Sequence, residues 1–297
     1  PVLNGGEELP LAVRPVAAQT MGDWELLVMD DGSDDGATEA VAAIGDPRIR
    51  VIVDGKNKGI AARLNQAVDL ARGRYFARMD HDDIAHPERL RLQLAALDAD
   101  PGLDLVGCRC ITMTEDRELV GYLPFAARHQ DICRHPWLRI PLAHPSWTGR
   151  IEWFSRHRYA DPAPYYAEDF ELLLRAHHAS KYAALPATLM AYRIRRRIDW
   201  ARSTRARMVQ FSVQRDHYLS RGEHGKVLMA GGALLLRLLM DGSLLAVQSS
   251  RVTVGLADGV DPADRAEWLG IIERIGRIDG HSEPAAPFST AYRESAP

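Results

Sequence analysis

Cysteine is scarce in this sequence, with Cys108, Cys110 and Cys133 the three among 297 residues. Three thiols at that spacing make neither a disulfide framework nor a zinc set, and they fit a reducing compartment. Long apolar runs are lacking as well. The most apolar stretch, 227–240, is broken by Gly231, Gly232 and Arg237 and falls short of the ~20 residues that span a bilayer. No large excess of one charge is present, and a formal net charge of −3 offers nucleic acid no global attraction. Near the start, Gly5-Gly6 is too little to form a glycine-rich phosphate loop. No signal peptide opens the chain, so the expected location is cytoplasmic. What remains is ordinary globular composition, 46% hydrophobic and 26% charged, enough for one large core or two domains.

The chain is organised around residues 73–90, GRYFARMDHDDIAHPERL. Residues 74–79 read as a short buried strand carrying Tyr75, Phe76 and Met79. It ends in Asp80, His81, Asp82 and Asp83. Pro87 then stands where a helix would start, with Glu88, Leu90, Leu92, Leu94 and Leu97 following at helical spacing. Carboxylates crowded at a strand end repel one another, and a hard divalent cation removes that repulsion. The competing reading is that Asp82 or Asp83 caps the next helix.

The preceding residues alternate strand and helix. Residues 1–6 read as the loop after a strand, so a strand is expected before them. Leu9, Leu11, Ala12, Val16 and Ala17 line an amphipathic helix. Residues 24–29 (WELLVM) form an apolar strand ending in Asp30-Asp31-Gly32-Ser33, with a helix then running to Ile44. Residues 48–53 form the next strand, 54–59 a polar loop, and Ala61, Leu64, Ala67, Val68 and Ala71 one helix face. This order predicts an open, mostly parallel α/β sheet. Ligands in such sheets bind outside the carboxyl ends of the strands, which puts Asp30-Asp31 and Asp80-Asp82-Asp83 on one rim.

The second half differs. Strands are expected at 103–108, 110–113 and 118–122, in mixed or antiparallel pairing, and at 144–153. Glu168 and Asp169 open a helix, where acids also suit the macrodipole. From about Asp199 the pattern is helical, and 280–297 reads as a disordered tail.

Several segments together resemble the family 2 glycosyltransferases of the GT-A fold. They are WELLVMDDGSDDG (24–36), NKGIAARLNQAVDLARGRYFARMDHDD (57–83), PERL (87–90), AHPSWTGR (143–150) and YYAEDFELLLR (165–175), with YRIR (192–195) fitting less well. The resemblance covers roughly residues 1–195, and the order of the motifs makes it specific. It implies a GT-A domain over 1–198, lacking its first strand, with a helical C-terminal region over 199–279. By position, Asp31 matches the carboxylate that holds the donor base, and Arg63 a basic group facing the donor diphosphate. Asp80-His81-Asp82 matches the DxD motif, with Asp80 towards ribose and metal and Asp82 the firmer ligand of Mn²⁺ or Mg²⁺. Asp169 matches the catalytic base, and Glu168 reads as structural.

The implied function is inverting transfer of a sugar from a nucleotide-diphosphate donor, a UDP-sugar by expectation, to a saccharide or lipid-linked acceptor in bacterial polysaccharide assembly. Two rivals stand beside it, a catalytically silent donor-binding subunit and a nucleotidyltransferase. Two departures from the family pattern stand out. The first strand is wanting, and Arg195-Arg196-Arg197 occupies the place where relatives often carry a metal-binding histidine. The arginine block from Arg193 to Arg207 has three readings: a solvated helix face, a contact with donor phosphates, or attraction to an anionic membrane surface at the inner face of the membrane.

Overall fold

The computed structural model describes residues 1–195, 199–246 and 259–277. The tail expected at 280–297, and Arg196 and Arg197, lie outside them. The chain opens with helix α1 (Glu8–Ala17), then strand β1 (Leu26–Met29), α2 (Ala37–Ala42), β2 (Ile49–Ile52) and α3 (Ile60–Leu70). β1 and β2 pair in parallel, Leu26 opposite Ile49 through Met29 opposite Ile52. Val2 adds a parallel bridge to Asp30, its N–H donating to Met29 O at 2.8 Å. Residues 1–6 therefore enter along the edge of β1. Gly32 (φ +89°) and Gly59 (φ +83°) take the left-handed region, and a Cβ on Gly32 would meet the backbone of Lys56 and Asn57 at 3.4 Å. That close approach brings the loops after β1 and β2 together.

The organising strand is shorter than its sequence suggests, β3 (Tyr75–Ala77), although Arg78 N still donates to Trp147 O at 2.8 Å. After the acidic loop come β4 (Ile84–Ala85), α4 (Arg89–Ala99), β5 (Leu105–Met113) and β6 (Leu119–Tyr122). The pieces expected at 103–108 and 110–113 are thus one strand. α5 (His129–Ile132), β7 (Thr148–Arg150), α6 (Ile151–Arg156), α7 (Glu168–Ala176) and β8 (Tyr182–Arg193) complete the α/β part. The larger sheet runs β3-β7-β5-β8-β4, with β6 on β5.

Among the described residues, β1·β2 and β5·β8 pair in parallel and the other four pairings are antiparallel. The sheet is therefore mixed rather than mostly parallel. The alternation of strand and helix holds only through β3. β7 then returns from far along the chain and inserts antiparallel between β3 and β5. Long-range insertion of this kind leaves no local pattern.

The main core gathers Trp147, Trp153, Phe154, Leu172, Leu174 and Tyr182, all buried, against α3 and β1. Three helices follow, α8 (Trp200–Ser220), α9 (His224–Ala246) and α10 (Pro262–Arg277). α10 returns to the sheet, packing Trp268, Ile271 and Ile275 on Ile84, Ile111, Met113 and Ala191. None of the described helices is long and apolar enough to cross a membrane.

A polar bolt fastens α4 beneath the rim. Gln93 is fully buried; its Oε1 accepts from Arg89 Nε (3.0 Å) and Thr148 Oγ1 (2.8 Å). Its Nε2 donates to Ser146 O (2.8 Å) and Val106 O (3.2 Å). Arg89 in turn donates to Arg78 O at 2.6 Å, at the root of the acidic loop. Gln93→Leu strands these groups without water, and should lower stability by about 2–4 kcal/mol. Urea unfolding would read it, and a loss below ~1 kcal/mol would mean that the bolt is dispensable.

Candidate active site

Asp31 lies at the carboxyl end of β1 and is almost fully buried. Its carboxylate accepts from Lys58 N (2.7 Å), Gly59 N (3.0 Å) and Arg63 Nε (3.0 Å). Oδ2 has Gly59 N as its hydrogen-bond donor, which leaves acceptor capacity for a further N–H. Asp30 serves the turn instead, accepting from Ser33 N at 3.1 Å and Gly32 N at 3.3 Å.

Arg63 corrects an expectation. It has no exposed surface, and its five donors are consumed within the protein. Nε bonds Asp31; Nη1 bonds Asp54 (3.1 Å) and Gln66 (2.8 Å); Nη2 bonds Asp54 (2.6 Å) and the carbonyl of Lys56. The guanidinium therefore ties the loop after β2 to Asp31 and offers no N–H to a diphosphate in this arrangement. The ion pairs hold Arg63 above its ordinary pKa, Asp54 first, while the Asp54 carboxyl is held well below the usual range by Arg63 and Lys58.

The acidic loop leaves β3 and is clamped on both sides. Asp80, Asp82 and Asp83 bring ligand oxygens within 4.8 Å of one another. None of them caps α4, whose N-cap residue is Glu88. Buried Arg78 holds Asp80 at 2.7 Å from Nη1. Burial, with Asp80 beside it, pushes the Asp82 carboxyl upward. Asp83 is nearly inaccessible and pushed up further by burial, Asp80 and Asp82. Its Oδ1 accepts from Arg193 N at 2.8 Å, and its buried Oδ2 has no hydrogen-bond partner among the described residues. A buried carboxylate oxygen left without a donor, beside two further carboxylates, fits a hard divalent cation such as Mn²⁺ or Mg²⁺. The expected pair Asp80 and Asp82 thus has a third member, whose position just before β4 turns it inward.

Arg193, at the end of β8, holds the far side of this loop. Its Nε donates to Asp82 O at 2.9 Å and its Nη1 to Glu115 O at 3.1 Å, while Nη2 pairs with Glu8 of α1. One side chain thus joins β8, α1 and the acidic loop. Sequence reading noted Tyr192-Arg193 as a motif without this role.

Glu168 and Asp169 form the first turn of α7. Asp169 Oδ1 accepts from Phe170 N at 2.7 Å. Burial raises its pKa, with Arg78 opposing and Asp80 adding to the rise. Glu168 is pushed up to about 7 by burial and the neighbouring Asp169, with Arg78 and Asp80 acting on it too. The pair and the acidic loop therefore share one electrostatic field, although they come from distant segments. Tyr159 and Tyr192 sit in that field and are raised chiefly by burial. His144 is buried, 2.7 Å from the Tyr159 hydroxyl and edge-on to Trp147, and burial with nearby Arg78 keeps it neutral. It packs the wall of the site. Sequence reading gave Arg78 and Tyr159 no role and noted Tyr192 only within the YRIR segment; only the position of Arg78, two residues before Asp80, hinted at its role.

Residues 1–141 match the family model for Glycosyl transferase family 2. Among similar curated proteins is the UDP-Glc:alpha-D-GlcNAc-diphosphoundecaprenol beta-1,3-glucosyltransferase WfgD of Escherichia coli. It is 34% identical over 97 residues, 33% of this chain and 38% of that protein. The chain spans well under half the length of the first curated relatives it matches. Among solved structures, S. aureus TarS 1–349 in complex with UDP-GlcNAc superposes with a TM-score of 0.60 at 15% identity, covering 93% of this chain and 78% of that one. The mannosyltransferase PcManGT from Pyrobaculum calidifontis, in complex with GDP-Man and Mn²⁺, does so at 0.54 and 16%, covering 94% and 86%. These likenesses carry the fold. Over residues 1–141 the chain is thus similar to glycosyl transferase family 2, and its α/β part has the GT-A fold.

Proposed function

We propose that the protein is a metal-dependent, inverting glycosyltransferase. It moves a sugar from a nucleotide-diphosphate donor, a UDP-sugar, to a hydroxyl of a saccharide or lipid-linked acceptor. The observation that carries this reading is the Asp80-Asp82-Asp83 cluster, with the Glu168-Asp169 pair near enough for Arg78 and Asp80 to act on it electrostatically. The UDP-GlcNAc and GDP-Man complexes of similar folds and the lipid-linked acceptor in the name of WfgD support it. The setting we infer is bacterial polysaccharide assembly, at the inner face of the membrane.

In this reading Asp31 accepts an N–H of the donor base, from a cradle that Arg63 keeps rigid. Asp80 faces the ribose and the cation, and Asp82 and Asp83 complete the carboxylate set for Mn²⁺ or Mg²⁺. When bound, the cation acts as a Lewis acid on the diphosphate and makes it a better leaving group. Asp169 takes the proton of the acceptor hydroxyl as that oxygen bonds to the anomeric carbon. The bond from that carbon to the diphosphate oxygen breaks, its electron pair leaving with the nucleoside diphosphate. Attack from the face opposite the leaving group inverts the centre.

Calorimetric titration of UDP-sugars with and without Mn²⁺ tests the donor site first. Binding should need the cation and be lost in Asp82→Ala. Equal binding without Mn²⁺, or with Asp82→Ala, would remove the metal role.

Asp169→Asn should bind donor like the native chain and lose transfer by about 10²–10⁴-fold, the contribution of a general base. Loss of donor affinity would assign Asp169 to binding instead. The same substitution removes the charge opposing Glu168, so the Glu168 pKa should fall from about 7, as read by carbon NMR of its carboxyl. The sign for stability follows: a folded pKa above the unfolded value stabilises at low pH, and that contribution disappears as pH rises through about 7. An unmoved titration in Asp169→Asn would show that burial alone sets it.

A further inference from the structure

α9 is turned inside out for a helix in water. Its exposed apolar side chains include Leu228 (78% exposed), Leu235 (60%), Leu236 and Leu239 (63%), with Met229 and Met240 half exposed. At about 100° per residue, Leu228, Leu235 and Leu239 fall in one row and Met229, Leu236 and Met240 in the next. The two rows make one face about 18 Å long, by the rise of an α-helix. Every exposed position from 228 to 243 is Leu, Met, Gly or Ser.

The charged residues of the helix lie on its other side. Arg237, about 180° from Leu228, donates to Leu138 O at 3.0 Å, and buried Asp241 pairs with Arg207 at 2.8 Å. Lys226 pairs with Glu223 at 2.9 Å. Surface helices normally point their charges outward. A contiguous apolar face of this extent marks a contact with something apolar.

Charge identifies what that is. Residues 195–226 hold nine Lys and Arg against three Asp and Glu, a net charge of +6 in a chain of −3. This basic segment reaches the candidate site: Arg205 stacks over Tyr165 at 4.1 Å and Arg202 over Tyr166 at 5.5 Å, just before Glu168 and Asp169. An anionic lipid surface would satisfy both features, acyl chains receiving the leucines and headgroups the arginines.

We propose that the outer face of α9 seats the protein on an anionic membrane, with its apolar rows at the headgroup–acyl boundary and the arginines of α8 on the headgroups. The inference rests on the transfer reading for its purpose, delivery of a lipid-linked acceptor to Asp169. The surface argument stands on polarity and charge.

Sedimentation with vesicles tests it, using the full chain, phosphatidylcholine mixed with phosphatidylglycerol, and phosphatidylcholine alone. The native chain should bind the mixed vesicles, more weakly as salt rises. Leu235→Glu with Leu239→Glu should reduce binding on the order of tenfold or more, and Leu228→Gln by less. Circular dichroism confirms folding, and unchanged UDP-sugar binding by the double variant shows an intact site. A native chain that stays in the supernatant at low salt overturns the proposal, as does a double variant that binds vesicles equally. A dimer in solution that the double variant dissociates, by light scattering, also overturns it by assigning the face to a second copy. Vesicle binding by a chain that binds no UDP-sugar would leave this proposal standing and the transfer reading refuted.

Discussion

Three carboxylates held within 4.8 Å of one another oppose each other's charge, and much of the structure around β3 manages that opposition. Arg78 neutralises Asp80 from below, and Arg193 fixes Asp83 and the carbonyl of Asp82 from above. Behind Arg78, Arg89 and Gln93 lock α4 to the strands whose ends carry the loop. Burial first, and the neighbouring carboxylates after it, push the Asp82 and Asp83 carboxyls upward. A hard divalent cation at this cluster would offset the opposition of the three charges.

The sheet then makes the site out of distant pieces. β3 delivers the acidic loop, β1 delivers Asp31, and the segment after β7 and α6 brings Glu168 and Asp169 within electrostatic reach of Arg78 and Asp80. The antiparallel insertion of β7 allows this, since it is the strand that bonds both β3 and β5. β8 closes the arrangement by pairing with β5 and β4, so its last residue, Arg193, arrives beside Asp82 and Asp83. A purely parallel order would have ended the chain's traffic on the rim differently.

How much of this was legible follows from which contacts are local. The strands β1, β2 and β3, the helix α3 and the acidic run are all set by neighbouring residues, and sequence reading found them within a few positions. β8 was overlooked. It carries Pro186, and its pairing with β5 skips from Leu185 to Thr188, because proline cannot donate to the ladder. Arg63 misled for another reason. Its burial depends on Asp31 and Asp54, which are 32 and nine residues away and acquire meaning only when the two loops meet. Asp83 was seen as part of an acidic run, but its inward turn is a consequence of β4, a two-residue strand with almost no pattern of its own.

The C-terminal helices show that burial, more than composition, decides what an apolar residue means. α10 and α9 both carry apolar and charged side chains at helical spacing. α10 places Trp268, Ile271 and Ile275 against the sheet and leaves Glu267, Glu273 and Arg274 outside, with Glu267 still reaching His86 at 2.9 Å and Asp264 accepting from Tyr122 at 2.7 Å. It is an ordinary water-facing helix, docked on β4 behind the acidic loop. α9 spends its charges on the interior and shows leucine to the outside. An inward arginine bonded to a backbone carbonyl forgoes water that it could have kept on the other face, a cost of desolvation. Water as the sole neighbour of the outer face gives no compensation for that cost, whereas an apolar phase does. The polarity of α9 is therefore a statement about its surroundings, made by the same rule that hides Trp268.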